Sequence, residues 1–363
     1  MATAITLEEL TKRAEAGEAA AQYALAAWCA RHGRREDADR WLDAAVKGGE
    51  PEALFTLATR AMHTKAGAVA AAAPQADAAA RGSVSAARQL AILRAMGLGV
   101  PQDDRAAIDD IGRLAALGFE PARRELAALL LLEDPADPEA SRLLSSPAAA
   151  ADWPALAARA KLSPQRALPP ERLAASPDIL IFRSALSRTM CDYIMRHATP
   201  LLGPALVYDP RGTGMMRDPL RSSATASLGL LDLDLALLGV MRLMSALAGV
   251  PARQGEFLSV MRYRPGEQYR PHFDTIPPGP DFDRSGQRIR TALLYLNDAY
   301  EGGETAFPAA GLKVRGEPGD IVVFSNVLPD GRGDPASRHA GLPVVSGEKW
   351  LVSQWCRERD FEF

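Results

Sequence analysis

Cysteine is scarce in this sequence of 363 residues, which contains only Cys29, Cys191 and Cys356. Three scattered cysteines are too few for a disulfide framework or for a zinc site made of thiolates. We therefore expect them to be small buried apolar residues. Histidine is also rare, with five in the chain.

Long runs of a single charge and long apolar runs are missing as well. The net charge is −3 and no block of about five consecutive Lys or Arg occurs, which argues against nucleic acid as a main partner. No uncharged apolar run reaches the roughly 18 residues of a membrane span, and the first residues lack the layout of a signal peptide. We expect a cytoplasmic protein without nucleic-acid or membrane partners. At about 150 residues per domain, the length predicts two or three domains.

A repeated pattern occupies the N-terminal third of the chain. One pattern recurs four times: a Gly, an Ala four residues later, and a Leu-Ala pair that begins four residues after that Ala. The glycines are at positions 17, 49, 82 and 118. The glycines lie 32, 33 and 36 residues apart, which fits a unit of two helices. The spacing of four puts Ala and Leu on one buried helix face. In the third unit, Ala66–Ala80 is nearly pure alanine with Pro74 inside it, which predicts a short or frayed helix.

The alanine-rich helix pairs and the turn Gly97-Leu-Gly-Val-Pro-Gln-Asp103 resemble Sel1-like repeats, which are relatives of the tetratricopeptide solenoids. The resemblance covers residues 6–133 and implies an all-α helical-repeat solenoid. Solenoids offer a concave surface that binds polypeptides. A helical spacer or dimerisation block without a ligand is the alternative.

The composition changes after the repeats. Prolines punctuate residues 134–177, and we interpret this segment as a Pro/Ala-rich linker with a short helix near Trp153–Lys161. Residues 178–363 form the second domain, in which short β-rich runs alternate with Gly/Pro turns and two helices, near 187–202 and 231–247, pack outside. The pattern predicts a sandwich or barrel. The predicted strands are Ile179–Phe182, Glu256–Arg264, Arg288–Leu296, Ile321–Ser325 and Trp350–Cys356.

His272 and His339 are two of the three histidines in the β-rich domain, and His272 is close to a carboxylate. His272 and Asp274 are two residues apart, so that both project to one face of an extended segment, and His339 follows 65 residues after Asp274. Two imidazoles and one carboxylate form the facial ligand set of non-haem Fe(II) oxygenases. Zinc and a set of ordinary strand-edge residues are the competing interpretations.

A lysine in an apolar strand gives this cluster a chemical context. Lys349 begins the run Lys-Trp-Leu-Val-Ser-Gln-Trp355, whose apolar neighbours would bury the ammonium. A buried ammonium needs an anion. A dicarboxylic acid such as 2-oxoglutarate supplies one, whereas a surface lysine needs no ligand.

Five segments together carry a second resemblance. They are Val260–Asp274, Arg290–Asn297, Gly302–Pro308, Pro318–Phe324 and Ser337–Trp350. In this order and spacing they closely resemble the prolyl 4-hydroxylase-like branch of the Fe(II)/2-oxoglutarate dioxygenases. The resemblance implies a double-stranded β-helix, or jelly-roll, with flanking helices. It also implies that His272, Asp274 and His339 bind iron.

The same resemblance assigns roles to further residues. It implies that Lys349 pairs with 2-oxoglutarate, that Tyr263 hydrogen-bonds the same carboxylate and that Thr291 lines this pocket. It also implies that Tyr269 and Arg290 act at the reacting centre by holding the substrate near the iron. The same resemblance places Trp355 and Arg221 on the substrate side of the site. The cofactors that it implies are iron, 2-oxoglutarate and ascorbate. The alternative is core packing for the aromatic side chains, an exposed strand pair for Arg290 and Thr291, and a turn for Arg221.

The residues therefore predict a 2-oxoglutarate-dependent dioxygenase that hydroxylates a side chain, proline first, in a peptide or protein held partly by the repeats. The reaction would consume O₂ and release succinate and CO₂. One alternative substrate is a free amino acid, a small metabolite or a non-proline residue. A second alternative is a repeat-based scaffold with an oxygen- or 2-oxoglutarate-sensing domain.

Overall fold

The computed structural model describes residues 5–164, 167–205, 207–208, 215–216 and 221–363. The chain divides into two compact units. One ends at Leu117 and also includes Phe363, and the other runs from Gly118 to Glu362. Within the described residues, none of the helices has the length and apolar character needed to cross a membrane.

The N-terminal unit consists of helices joined by short turns. They are α1 Leu7–Glu15, α2 Ala19–Arg31, α3 Arg35–Lys47, α4 Pro51–Thr59, α5 Lys65–Ala80, α6 Val84–Met96 and α7 Asp104–Ala116. Side chains cap several of their N-termini, as where Ser83 accepts a hydrogen bond from the Ala86 N–H at 3.0 Å. The prediction of a helical-repeat region is confirmed by these elements.

The repeated alanines are buried, but the repeated leucines are not uniformly so. Ala21, Ala53 and Ala86 are all at most 4% exposed, and their small side chains let neighbouring helices approach closely. Leu25 is buried, whereas Leu57 in the second copy is 37% exposed. The expectation that every Leu of the pattern faces inward is therefore wrong for Leu57.

The expectation of a short or frayed helix around Pro74 is also wrong. Helix α5 runs from Lys65 to Ala80 with Pro74 inside it. Ala71, Ala72 and Gln75 on either side of the proline are buried, so tertiary packing outweighs the local cost of the missing N–H.

The C-terminal unit combines helices with antiparallel sheets. Its helices are α8 Glu120–Glu133, α9 Pro138–Ser145, α10 Trp153–Arg159, α11 Arg188–Ala198, α12 Leu235–Leu247 and α13 Pro280–Ser285. Its strands are β1 Glu171–Ala175, β2 Asp178–Phe182, β3 Gly203–Pro204, β4 Val207–Tyr208, β5 Met215–Met216, β6 Ala224–Ser227, β7 Ser259–Tyr263, β8 Tyr269–His272, β9 Arg288–Tyr295, β10 Tyr300–Gly302, β11 Thr305–Phe307, β12 Leu312–Val314, β13 Ile321–Ser325, β14 His339–Gly341, β15 Val344–Gly347 and β16 Lys349–Arg357.

Two of the sheets enclose the core of this unit. The larger has the strand order β1-β2-β13-β9-β16-β7-β6-β3, and the smaller has the order β12-β11-β14-β8. The core contains Tyr295 and Leu351 of the larger sheet and Phe307 of the smaller one. This sandwich of antiparallel sheets, with α12 in contact with β16, confirms the predicted jelly-roll with flanking helices.

Helix α8, which carries the fourth copy of the repeat, belongs to the C-terminal unit. The buried Glu125 carboxylate accepts a hydrogen bond from the Leu235 N–H at the start of α12, at 2.6 Å. Leu132 lies against Gly239 of α12, where no Cβ keeps the two helices apart. The segment 134–177, predicted as a linker, contains α9, α10 and β1, and β1 pairs with β2. The predicted bounds 6–133, 134–177 and 178–363 stay a prediction.

Candidate metal centre

Three potential metal ligands converge at the edge of the smaller sheet. His272 ends β8, Asp274 follows it, and His339 begins β14, which pairs with β8 so that the two histidines are partners in the ladder. One ligand atom from each residue lies within 4.8 Å of the others. The Nε2 atoms of His272 and His339 are 3.7 Å and 3.6 Å from the two Asp274 carboxylate oxygens.

Backbone carbonyls orient both imidazole rings. Nδ1 of His272 lies 2.8 Å from the carbonyl oxygen of Arg270, and Nδ1 of His339 lies 3.0 Å from that of Ser337. A carbonyl oxygen can only accept, so Nδ1 carries the proton in each ring and the Nε2 lone pair faces Asp274. Metal-binding histidines are commonly held in this way.

The protonation states also suit a divalent metal. Burial lowers the pKa of His272 to about 3, with a further contribution from the nearby His339, so the ring is neutral near pH 7. Burial alone would raise the pKa of Asp274, but the two imidazoles and a hydrogen bond from Thr291 outweigh it and lower that pKa. Two imidazoles and one carboxylate on one side of a site fit a metal with open coordination positions.

A pocket that is partly open to solvent adjoins these ligands. Lys349 lines it and is only 2% exposed. Its ammonium donates one hydrogen bond to the Gly303 carbonyl oxygen at 2.7 Å. It also lies near the ring faces of Tyr263 and Tyr295, at 5.8 and 5.5 Å from the centroids. Burial lowers its pKa to about 8, against the opposing effect of Glu304.

Tyr263 lines the same pocket and is the ladder partner of Lys349. Burial raises the pKa of its phenol, which therefore stays protonated and can donate to an anion. Thr305 is a pocket residue that the sequence did not predict, and its hydroxyl accepts a hydrogen bond from Tyr295 at 2.8 Å. The pocket thus combines the metal ligands with a buried cation and hydroxyl groups.

Three of the predicted substrate residues also line the pocket, namely Tyr269, Arg221 and Trp355. The Tyr269 ring stacks on His272 with centroids 3.5 Å apart, and the Arg221 guanidinium lies 5.1 Å from the centroid of the Tyr269 ring. Arg221 Nε and Nη2, and Trp355 Nε1, are buried without a hydrogen-bond partner among the described residues. Such donors are available to a bound ligand.

The structure does not bring the predicted residue Arg290 to the pocket. Its guanidinium instead lies 3.5 Å from the Asp178 carboxylate. Arg288 takes the position against Trp355, with its guanidinium 4.0 Å from the centroid of the Trp355 ring. The β16–β9 ladder is irregular between Cys356 and Arg357, so counting residues along the strand does not reveal which arginine approaches the site.

Arg288 is held in place by an acidic partner. It forms two hydrogen bonds with Glu256, at 2.7 and 2.9 Å.

Thr291, predicted to line the pocket, is fully buried and instead donates a hydrogen bond to an Asp274 carboxylate oxygen at 2.7 Å. Neither the Glu256–Arg288 pair nor this hydrogen bond was predicted from the sequence, because both join segments that are distant along the chain.

Comparison with known proteins gives this geometry a family context. The sequence model of the 2OG-Fe(II) oxygenase superfamily matches residues 258–357. Prolyl 4-hydroxylase 1 of Arabidopsis thaliana is 33% identical over 204 residues, which cover 52% of this chain and 72% of the plant protein.

Two solved structures are similar to different parts of the chain. The viral collagen prolyl hydroxylase of Paramecium Bursaria Chlorella virus-1, in its 2OG complex, is 25% identical, with a TM-score of 0.39, over 49% of this chain and 95% of the viral one. A Sel1 repeat protein from Oxalobacter formigenes is 28% identical, with a TM-score of 0.28, over 32% of this chain and 92% of its own.

Proposed function

Because this chain belongs to the 2OG-Fe(II) oxygenase superfamily and is 33% identical to a plant prolyl 4-hydroxylase over 204 residues, we propose that it hydroxylates prolyl residues in a peptide or protein. The observation that carries the proposal is the placement of a buried ammonium, Lys349, in one pocket with the His272, Asp274 and His339 ligand set. A buried cation beside a metal site fits a substrate or cosubstrate that is both anionic and metal-binding.

The residues divide into two groups by the ligand they would hold. His272, Asp274 and His339 would bind Fe(II), while Lys349 and Tyr263 would bind the distal carboxylate of 2-oxoglutarate. Bound iron and 2-oxoglutarate supply the oxidation of a C–H bond by O₂, with release of succinate and CO₂. Ascorbate is proposed as an auxiliary reductant on the family resemblance alone.

The remaining pocket residues would position the substrate. Tyr269 and Trp355 offer ring faces, and the Arg221 donors that have no partner among the described residues can bind peptide carbonyl groups. The Arg288 guanidinium, which is hydrogen-bonded to Glu256, packs against the Trp355 ring. A proline lacks an N–H and presents an apolar ring, which suits an aromatic surface with separate donors for its flanking carbonyls.

We also propose that the N-terminal helices bind part of the polypeptide substrate and that the protein acts in the cytoplasm. The helical hairpins and the Sel1-like turn motif support the first part, since helical repeats commonly bind polypeptides. The composition supports the second.

The test uses the full chain with Fe(II), 2-oxoglutarate, O₂ and proline-containing peptides. We expect peptide-dependent succinate formation and one added oxygen on proline, both detected by mass spectrometry. His272→Ala and Asp274→Ala should abolish both products, because each removes a metal ligand. Succinate production retained by Asp274→Ala would contradict the assignment.

Substrate size can be tested with a shortened chain that starts at Gly118. The cut belongs there because α8 packs in the C-terminal unit. Selective loss of kcat/KM on long polypeptides would support binding by the repeats. An unchanged kcat/KM on a free amino acid, with no activity on peptides in either form, would favour a small-molecule hydroxylase.

A further inference from the structure

A hydroxyl group behind the metal centre contacts one of the proposed metal ligands. Thr291 of β9 is fully buried, and its Oγ1 lies 2.7 Å from Oδ2 of Asp274. On its other side, the same Oγ1 lies 2.9 Å from Nδ2 of Asn326, which is also fully buried. Asn326 directly follows β13, the strand that pairs with β9.

The direction of these hydrogen bonds follows from the chemistry of the three groups. An amide nitrogen can only donate, so Thr291 Oγ1 accepts from Asn326, and its single proton is left for Asp274. An ionised carboxylate can only accept. The two hydrogen bonds therefore run in one direction: Asn326 donates to Thr291, and Thr291 donates to Asp274. We call this pair of hydrogen bonds the relay.

The position of Asn326 is itself fixed by its backbone. Its N–H donates to the Ile289 carbonyl oxygen and its own carbonyl oxygen accepts from the Asp334 N–H, each at 2.9 Å. Its side-chain Oδ1 is buried without a hydrogen-bond partner among the described residues. An unsatisfied buried carbonyl is unfavourable, and it is tolerated here where the amide is turned so that Nδ2 faces Thr291.

We propose that Thr291 and Asn326 are positioning residues that restrict Asp274 to metal binding through a single oxygen. The hydrogen bond from Thr291 occupies one lone pair of Oδ2, which also lies 3.6 Å from Nε2 of His339, whereas Oδ1, 3.7 Å from Nε2 of His272, has no bond to Thr291. A carboxylate that bound through both oxygens would occupy a further coordination position. The relay thus preserves open positions for the cosubstrate, a role that rests on the proposed metal site.

The test measures metal affinity without 2-oxoglutarate, so that it does not depend on turnover. Co(II) binding to the full chain is followed by competition with a coloured chelator and by the visible Co(II) spectrum. Thr291→Val keeps the shape but removes the hydroxyl, and we expect about 10- to 100-fold weaker binding, as is typical when a partner of a metal ligand is lost. We also expect an altered Co(II) spectrum. Thr291→Ser should restore both properties.

Ser285→Ala is the matched control. Ser285 is also fully buried and its hydroxyl is hydrogen-bonded, but to the Glu362 N–H rather than to a metal ligand, so Co(II) affinity should stay at the wild-type value. Asn326→Leu should weaken binding less than Thr291→Val, and it tests the relay if Thr291→Val does not fold.

Wild-type affinity and spectrum in Thr291→Val, or an equal loss in Ser285→Ala, would overturn the inference. Asp274→Ala separates this failure from failure of the metal site. If the wild type binds no Co(II), or if Asp274→Ala binds as tightly as the wild type, the proposed metal site falls and the relay falls with it.

Discussion

The two units of this protein bury polar side chains of different kinds. In the described part of the N-terminal unit, the buried polar residues are neutral, namely Gln75, Ser83 and Gln89. The C-terminal unit buries charged groups, among them Arg221, Asp274, Lys349 and Arg357. Burial of a charge is costly unless a partner compensates for it. The difference indicates that side-chain packing mainly determines the first unit. The second unit keeps buried charges, which lower its stability, because they serve ligand binding and catalysis.

The energetic basis of each unit differs accordingly. The N-terminal helices pack through small residues such as Ala86 and Ala91, which are fully buried, and stability in repeat folds is close to a sum over neighbouring units. In the C-terminal unit, the sandwich core fixes Lys349 and Asp274 in place although each would be better solvated outside. Substitutions in the two units should therefore have separate effects.

The largest effect should come from Lys349→Met, which keeps the apolar stem but removes the buried charge. We expect 2-oxoglutarate affinity to fall by at least about 30-fold, because loss of one partner of a buried charge pair costs about 2–5 kcal/mol. Co(II) affinity measured without 2-oxoglutarate should be unchanged. Binding is measured anaerobically by calorimetry.

Lys313→Met is the control, since Lys313 is an exposed lysine on β12 of the smaller sheet. It should bind 2-oxoglutarate like the wild type. Equal losses in the two variants would show that the buried position of Lys349 has no special role, and the contrast between the units would lose its main support.

A smaller effect, on stability alone, should come from Gly99→Ala in the N-terminal unit. Gly99 has φ +71°, and an added Cβ would overlap the carbonyl oxygen of Val69. The left-handed backbone costs a non-glycine residue about 1–2 kcal/mol, and overpacking adds about 1–3 kcal/mol. Urea unfolding should show a lower stability of this unit, with unchanged 2-oxoglutarate affinity.

Gly33→Ala separates the two causes. Gly33 has φ +74°, but an added Cβ would meet no heavy atom of the described residues within 4 Å. Gly33→Ala should therefore lower the stability of the unit only by the cost of the left-handed backbone, about 1–2 kcal/mol. If Gly33→Ala and Gly99→Ala destabilise the unit equally, close packing at Gly99 contributes nothing.

The sequence predicted those features that depend on local spacing. His272 and Asp274 lie two residues apart on one extended segment, and Lys349 and Trp355 lie in one continuous strand, so their placement follows from strand geometry. The helix pairs likewise follow from the recurring Gly and Ala positions. Both predictions need only the period of a single element.

Features that depend on contacts between distant segments were not predicted. The irregular ladder at Cys356 leaves Arg288, rather than Arg290, against the Trp355 ring, and the hydrogen bond from Thr291 to Asp274 joins β9 to the segment that follows β8 of the other sheet. The continuous α5 through Pro74 and the packing of α8 on α12 also result from tertiary contacts. No periodicity in the sequence encodes these pairings.

The central claim is that a metal and an anionic cosubstrate bind together in the pocket beside the buried Lys349. The most direct test is an anaerobic titration of the Fe(II)-loaded protein with 2-oxoglutarate, followed by the visible metal-to-ligand charge-transfer band, at about pH 7 and about pH 9. The ammonium predominates below its pKa of about 8 and the neutral amine predominates above it. We predict a saturable band at both pH values, with about tenfold weaker binding at the higher one, since each pH unit above the pKa costs a factor of about ten. No band at either pH, with iron bound, would contradict the account.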